Sequence, residues 1–235
     1  RYPDTSCRAL HADIAAFEDV PPGQVLCGNG AADLIIRLCL ALRPKKVLVF
    51  NPTFSEYEKA AGLAGAHMVS NLTERPDMVF LCHPNNPTGR LQEEGFLRDI
   101  SLHCAKNGIV QVMDECFLDF TEGQSSRRFL HDHMVILRAF TKNYAMAGLR
   151  LGYMLTPNKA ILDAVRDFGQ SWSVSGPAQI AGCAALRCDG WMETTRACIG
   201  REKDFLYDGL SHLQINYQPS DANFFLIRSS LPLYT

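Results

Sequence analysis

Ala139-Phe140-Thr141-Lys142-Asn143-Tyr144-Ala145-Met146-Ala147-Gly148-Leu149-Arg150-Leu151-Gly152-Tyr153 decides how this chain reads. The run MVIL at 134–137 has the composition of a buried strand, and small residues surround the lysine that follows. Lys142 therefore leaves a strand end into a tight turn. Arg150 stands eight positions later between glycines. An amine on a short, glycine-edged loop beside a guanidinium suits a Schiff-base lysine next to an anion clamp. Taken alone, such a lysine reads more simply as surface, so the rest of the chain has to decide.

Outward from this stretch, strand-like and helix-like runs alternate. Residues 46–50 (KVLVF), 66–69, 78–82 (MVFLC), 109–113 (IVQVM), 134–137 and 151–155 read as strands. Residues 30–42, 55–64 and 93–107 have helical spacing. Continuous apolar strands separated by helices require a mainly parallel sheet with helices on both faces, an α/β fold. After Pro157 helices dominate, at 159–168, 176–188 and 191–213, and strands return at 213–217 and 223–227. Residues 1–190 are expected to form one large domain and 191–235 the beginning of a small α+β unit. The link over 69–77 is short for neighbouring parallel strands, so further residues are expected there.

A chain of 235 residues buries a substantial core, and 47% hydrophobic with 20% charged residues is ordinary for a globular protein. The net charge of −2 argues against nucleic-acid binding through bulk electrostatics. Nine cysteines lie mostly inside apolar runs with no C-x-x-C pair, which favours a reducing cytoplasm over disulfides or structural zinc. No apolar stretch approaches the roughly 20 residues that cross a bilayer, and no signal peptide is evident.

Four points fall at strand ends, where open α/β sheets bind ligands. Gly28-Asn29-Gly30-Ala31-Ala32-Asp33 is a glycine turn leading into a helix, an anion site by its exposed N–H groups. Alone it reads as a plain helix start, because Asp33 replaces the third glycine and no strand–turn–helix nucleotide fingerprint follows. His83-Pro84-Asn85-Asn86-Pro87-Thr88-Gly89 is a rigid loop able to aim an amide, or a simple turn. Asp114, after IVQVM, is a carboxylate for a protonated ring nitrogen, or a helix N-cap. Lys142 to Arg150 is the fourth. Asn86, Asp114 and Lys142 are each 28 residues apart, about one strand–helix–strand unit, so neighbouring strand ends converge on one ligand.

The set G-N-G, P-T-F-x-E-Y, N-N-P-T-G, D-E-x-F and T-K-x-Y-A-x-x-G-L-R-L-G-Y resembles the fold-type I pyridoxal-phosphate enzymes, the aspartate-aminotransferase superfamily, over nearly the whole chain. The resemblance implies a Schiff base on Lys142, an ion pair from Asp114 to the pyridinium nitrogen, and an Asn86 hydrogen bond to the ring oxygen. It implies Phe54 stacked on the ring, and the phosphate held by Gly30, Ala31, Ala32, Thr141 and Arg150. Ala139 stands where many relatives have a phosphate-binding hydroxyl, and Phe117 where many aminotransferases have tyrosine. A homodimer is implied, with a partner's tyrosine, expected before Arg1, reaching the cofactor.

Two subfamilies fit best. Thr141, Phe117 and the segments around Tyr144 and Trp172 are more similar to L-threonine-O-3-phosphate decarboxylases than to histidinol-phosphate aminotransferases. Decarboxylation of a small phosphorylated amino acid is the expected activity, with transamination the alternative. A catalytically idle pyridoxal-phosphate binder and a nucleotide-binding Rossmann protein are disfavoured. His131-Asp132-His133 lacks a third metal ligand and reads as solvated loop. His83, Trp172 and Tyr144 read equally as pocket or packing residues, and Arg127-Arg128 as an exposed pair.

Overall fold

The computed structural model describes residues 2–228. Residue 1 and residues 229–235, the end of the expected second unit, lie outside that range. Seven strands form one sheet: β1 (Val25–Gly28), β2 (Lys46–Val49), β3 (His67–Val69), β4 (Met78–Cys82), β5 (Val110–Asp114), β6 (Met134–Ala139) and β7 (Gly152–Leu155). Their order across the sheet is β1-β7-β6-β5-β4-β2-β3. β7 runs antiparallel to both its neighbours, and every other pairing is parallel. The C-terminal ends of β1, β4, β5 and β6 therefore share one edge with the N-terminal end of β7.

Alternation along each strand divides the core into two layers. Val79, Leu81, Met113 and Ile136 face α1 (Arg8–Glu18), α4 (Glu94–Asn107) and α7 (Gly176–Ala185). Phe80, Cys82, Val112 and Leu137 face α2 (Ala31–Leu42), α3 (Glu56–Leu63) and α6 (Lys159–Asp167). Both faces are dry, which is why these strands lack a polar alternation. A one-turn helix, α5 (Phe140–Asn143), follows β6 directly.

The expected sheet is present, with two elements added that the sequence did not suggest. α1 begins at Cys7 with no side-chain cap, and β1 is only four residues ending in glycine. Because β1 runs straight into Gly28–Gly30 and α2, the strand–turn–helix arrangement thought absent there does exist. Asp33 takes part in it, since its carboxylate accepts the Asn29 N–H at 2.8 Å.

The 70–77 link carries the chain from edge strand β3 past β2 to β4 with only a 3-10 turn, Leu72–Glu74. Most parallel crossovers take a dozen residues or more. Here Asp77 accepts the Lys45 and Lys46 N–H groups at 2.8 and 2.9 Å, and Lys46 Nζ donates to the Glu74 carbonyl at 2.9 Å. Beyond the sheet, α8 (Trp191–His212) buries none of its side chains fully, and β8 (Asn216–Gln218) pairs with β9 (Leu226–Arg228) in a separate antiparallel ribbon. Among the described residues no helix is long and apolar enough to cross a membrane.

Candidate active site

Each strand end delivers one group to the shared edge. Phe54, Asn86, Asp114, Thr141, Lys142, Arg150, Ala31 and Ala32 line one cleft, together with Cys82, Cys116, Phe117 and Ala139. The cavity between them measures about 120 Å³. Of the expected site residues only Gly30 is not in the wall, and it has a different part: its φ is +83°, and a Cβ there would come within 3.0 Å of the Arg150 guanidinium. Glycine lets the arginine close on the turn before α2. Gly152 is as constrained, since its Cβ would meet Ala31 N at 2.6 Å and the Gly30 carbonyl carbon at 2.8 Å.

Arg150 itself holds a left-handed backbone, φ 55°, after the 3-10 turn Ala147–Leu149. A non-glycine residue there costs about 1–3 kcal/mol. The conformation turns the guanidinium, anchored on the Ala147 carbonyl at 3.1 Å, back toward α2. The N-terminal N–H groups of that helix and the arginine then face the same space, a fitting cradle for a phosphate.

Among the described residues, Asp114 is the only carboxylate in the wall, with Lys142 and Arg150 as its basic side chains. The Lys142 ammonium lies 5.4 Å from the centre of the Phe117 ring. Asp114 is fixed from two sides: Tyr57 OH donates to Oδ2 at 2.7 Å and the Cys116 N–H to Oδ1 at 3.0 Å. Burial pushes the Cys82 thiol up to about 12 and drives the Tyr57 phenol and the Cys116 thiol well up too. All three stay neutral. One amine, one acid facing it, an amide, an aromatic face and a phosphate cradle match the donor set that pyridoxal phosphate requires.

Beneath the Lys142 turn lies an ionic cluster not apparent in the sequence. Arg138 on β6 pairs with Asp119 at 2.8 Å and Glu115 at 3.4 Å, and faces Glu18 at 3.7 Å. Asp119 also accepts the Asn143 side-chain amide, and Trp191 Nε1 donates to the Asn143 carbonyl at 2.6 Å. The only signal was an arginine inside an otherwise apolar strand.

Other candidates fall elsewhere. His83 is buried, its Nδ1 accepts the Gln92 N–H at 3.1 Å, and burial lowers it to about 4, so it is structural. Trp172 neither lines the cleft nor joins the core: it is half exposed and packs on Tyr2, ring centres 4.9 Å apart. Tyr144 stacks on Phe140 at 5.3 Å. Arg127 is not simply exposed, because it reaches buried Glu18 at 3.4 Å. His131 bonds Gln111 at 3.0 Å, and among the described residues no group of side chains could hold a metal.

Fold and site together define a pyridoxal-phosphate enzyme of fold type I. The aminotransferase class I and II family model matches residues 1–232, and the chain belongs to that family, whose members use pyridoxal phosphate. It is 32% identical over 251 residues to threonine-phosphate decarboxylase of Salmonella typhimurium, covering 97% of this chain and 68% of that protein. It is 35% identical over 254 residues to histidinol-phosphate aminotransferase of Symbiobacterium thermophilum, covering 98% and 69%. Among solved structures, histidinol-phosphate aminotransferase of Clostridium acetobutylicum superposes with a TM-score of 0.88 at 27% identity, over 97% of this chain and 74% of that one. L-threonine-O-3-phosphate decarboxylase of Porphyromonas gingivalis superposes with a TM-score of 0.88 at 23% identity, over 99% and 74%, which establishes the shared fold. The chain thus spans roughly 59 to 70% of the length of the curated relatives it matches.

Proposed function

We propose that this protein decarboxylates L-threonine O-3-phosphate, releasing carbon dioxide and (R)-1-aminopropan-2-yl phosphate. The observation that carries the choice is Phe117 against Lys142, where a tyrosine hydroxyl would mark the aminotransferase pattern; the similarity to the Salmonella decarboxylase supports it. Histidinol-phosphate transamination with 2-oxoglutarate is the second reading, favoured by the higher identity to the Symbiobacterium enzyme.

Pyridoxal phosphate, when bound, supplies an electron sink for the pair left at the substrate Cα. Lys142 Nζ would hold the cofactor, give way to the substrate amine, and then be free to carry protons at Cα. Asp114 would face the ring nitrogen. Asn86 would offer its side-chain amide to the ring oxygen, and Phe54 would cover one ring face. The Ala31 and Ala32 N–H groups, with Gly30 giving room, would join Thr141 and Arg150 in holding the phosphate. Ala139 offers no hydroxyl, so Arg150 takes a larger share. With that electron sink in place, loss of the Cα–carboxylate bond would give carbon dioxide, and a proton would then fill its place on Cα. Residues 1–190 act as the cofactor domain and 191–235 as part of a second one, in a cytoplasmic homodimer.

The test supplies L-threonine O-3-phosphate and measures carbon dioxide, and in parallel supplies histidinol phosphate with 2-oxoglutarate and measures glutamate. Carbon dioxide release, abolished in Lys142→Ala, is expected. Glutamate without carbon dioxide overturns the decarboxylase assignment in favour of the second reading.

A further inference from the structure

Tyr57 lies in the first turns of α3 and is fully buried, yet it touches two of the groups assigned to the cofactor. Its hydroxyl donates to Asp114 Oδ2 at 2.7 Å from 57 residues away in the chain. Its ring stacks on Phe80, centres 4.9 Å apart and 10° from parallel, and meets Phe54 edge-on at 5.6 Å and 84°. A side chain serving only to fill volume has no need of a phenol here, and phenylalanine would pack against Phe80 as well. The hydroxyl instead spends its one proton on the carboxylate that faces the cleft.

The second oxygen of Asp114 is held by the Cys116 N–H. Two donors from different elements, α3 and the chain after β5, therefore fix the plane of the carboxylate. A carboxylate fixed from both sides keeps one orientation toward the cleft, and a protonated ring nitrogen held against it is the state in which the ring withdraws electrons best. Burial and the Asp114 charge both favour the neutral phenol, so the donor persists across the working pH range. The Phe54 contact adds a steric part, because the edge of Tyr57 sets how far that ring leans into the cleft.

We propose that Tyr57 is a positioning residue for Asp114 and Phe54, holding the carboxylate in the orientation that a protonated ring nitrogen requires. This rests on the cofactor assignment above. Tyr57→Phe removes the hydroxyl and keeps the ring, so the Phe80 and Phe54 contacts stay. Without the phenol donor the carboxylate is free to turn away from the ring nitrogen, the ring carries less positive charge, and the imine nitrogen on Lys142 becomes more basic.

The experiment titrates the visible absorbance of purified full chain reconstituted with pyridoxal phosphate, for wild type, Tyr57→Phe and Phe54→Leu, and measures the cofactor dissociation constant of each. Losing one hydrogen bond to a charged group predicts roughly tenfold weaker cofactor binding in Tyr57→Phe and a titration midpoint raised by about half a pH unit or more. Phe54→Leu is expected to weaken binding with the midpoint unchanged. If Tyr57→Phe keeps the wild-type midpoint while the wild type shows its band, the inference is overturned and the cofactor assignment stands. A wild type with no band overturns both.

Discussion

Replacing Arg138 by methionine tests whether the ionic cluster under Lys142 holds the fold together. Arg138 is 9% exposed, and its guanidinium sits among three carboxylates. The Glu115 side chain is fully enclosed and accepts the Ser126 N–H at 2.6 Å and Ser125 Oγ at 2.8 Å. Glu18 accepts Tyr153 OH at 2.5 Å and keeps only Arg127 as a second cation. Methionine fills much of the volume and strands the acids, a change that costs about 3–5 kcal/mol where a buried pair loses one partner. At about 2–4 °C per kcal/mol for a chain of this size, the melting temperature should fall by roughly 6–20 °C. Burial raises the Glu115 carboxyl. An acid raised in the folded state favours folding below its unfolded value and loses that contribution as pH rises through the folded one. Without Arg138 the rise is larger, so the deficit should grow between mildly acidic and mildly alkaline pH. Calorimetry of wild type, Arg138→Met and Arg138→Met/Glu115→Gln reads it out, with the double variant recovering part of the loss because one stranded charge is gone. A single variant within about 1 kcal/mol of wild type, or a double variant no better than the single, refutes the reasoning.

Arg150→Ala should weaken pyridoxal-phosphate retention roughly tenfold or more while leaving turnover at saturating cofactor nearly unchanged; equilibrium dialysis beside saturation kinetics separates the two. Gly152→Ala drives a methyl into the Ala31 amide at 2.6 Å, an overpacking cost of about 1–3 kcal/mol, and should weaken cofactor binding as well as lower the melting temperature. His83 is the acid-side prediction: its value falls from 6.5 to about 4 on burial, so the unfolded chain takes up a proton in that window and the native one does not. Stability should therefore rise with pH between about 4 and 6.5 by on the order of 3 kcal/mol from this residue, and His83→Gln should flatten that part of a urea-denaturation series.

What the sequence shows best is what local composition dictates. β4, β5 and β6 are buried on both faces and had to be written as unbroken apolar runs, and parallel connectivity put Asn86, Asp114 and Lys142 at one edge. Short elements are the ones that escape. β1 offers four residues closed by glycine, and α1 starts without a capping side chain, so neither announces itself against the Pro21-Pro22-Gly23 turn between them. Long-range roles escape for another reason. Tyr57 stands inside the quoted P-T-F-x-E-Y motif, but its use depends on Asp114, 57 residues away. Arg138 reads as an interruption of a strand until Glu18, from α1, and Glu115 and Asp119, from the segment after β5, are brought around it.

The antiparallel β7 explains why the lysine and arginine occur in one short stretch. β6 delivers Lys142 to the sheet edge, and the chain must return within a few residues to enter β7 beside β1. Arg150 stands two positions before that descent, directly against the Gly28–Gly30 turn that β1 delivers to the same edge. Lys142 and Arg150 are thus two ends of one reversal, and Gly152 is small because the reversal packs on the Ala31 amide. On the proposed function, this bed would hold the cofactor and leave open which substrate bond is aligned for cleavage, a choice left to the contacts around Phe117. Phe117 already meets Phe224 at 4.8 Å, while the Gly89 carbonyl accepts the Asp221 and Ala222 N–H groups at 2.9 and 3.1 Å. The segment leading to β9 therefore touches both the asparagine loop and the ring beside the lysine. Substitutions at Phe117 and Phe224 should shift the balance between carbon dioxide release and transamination more than any change in the phosphate cradle does.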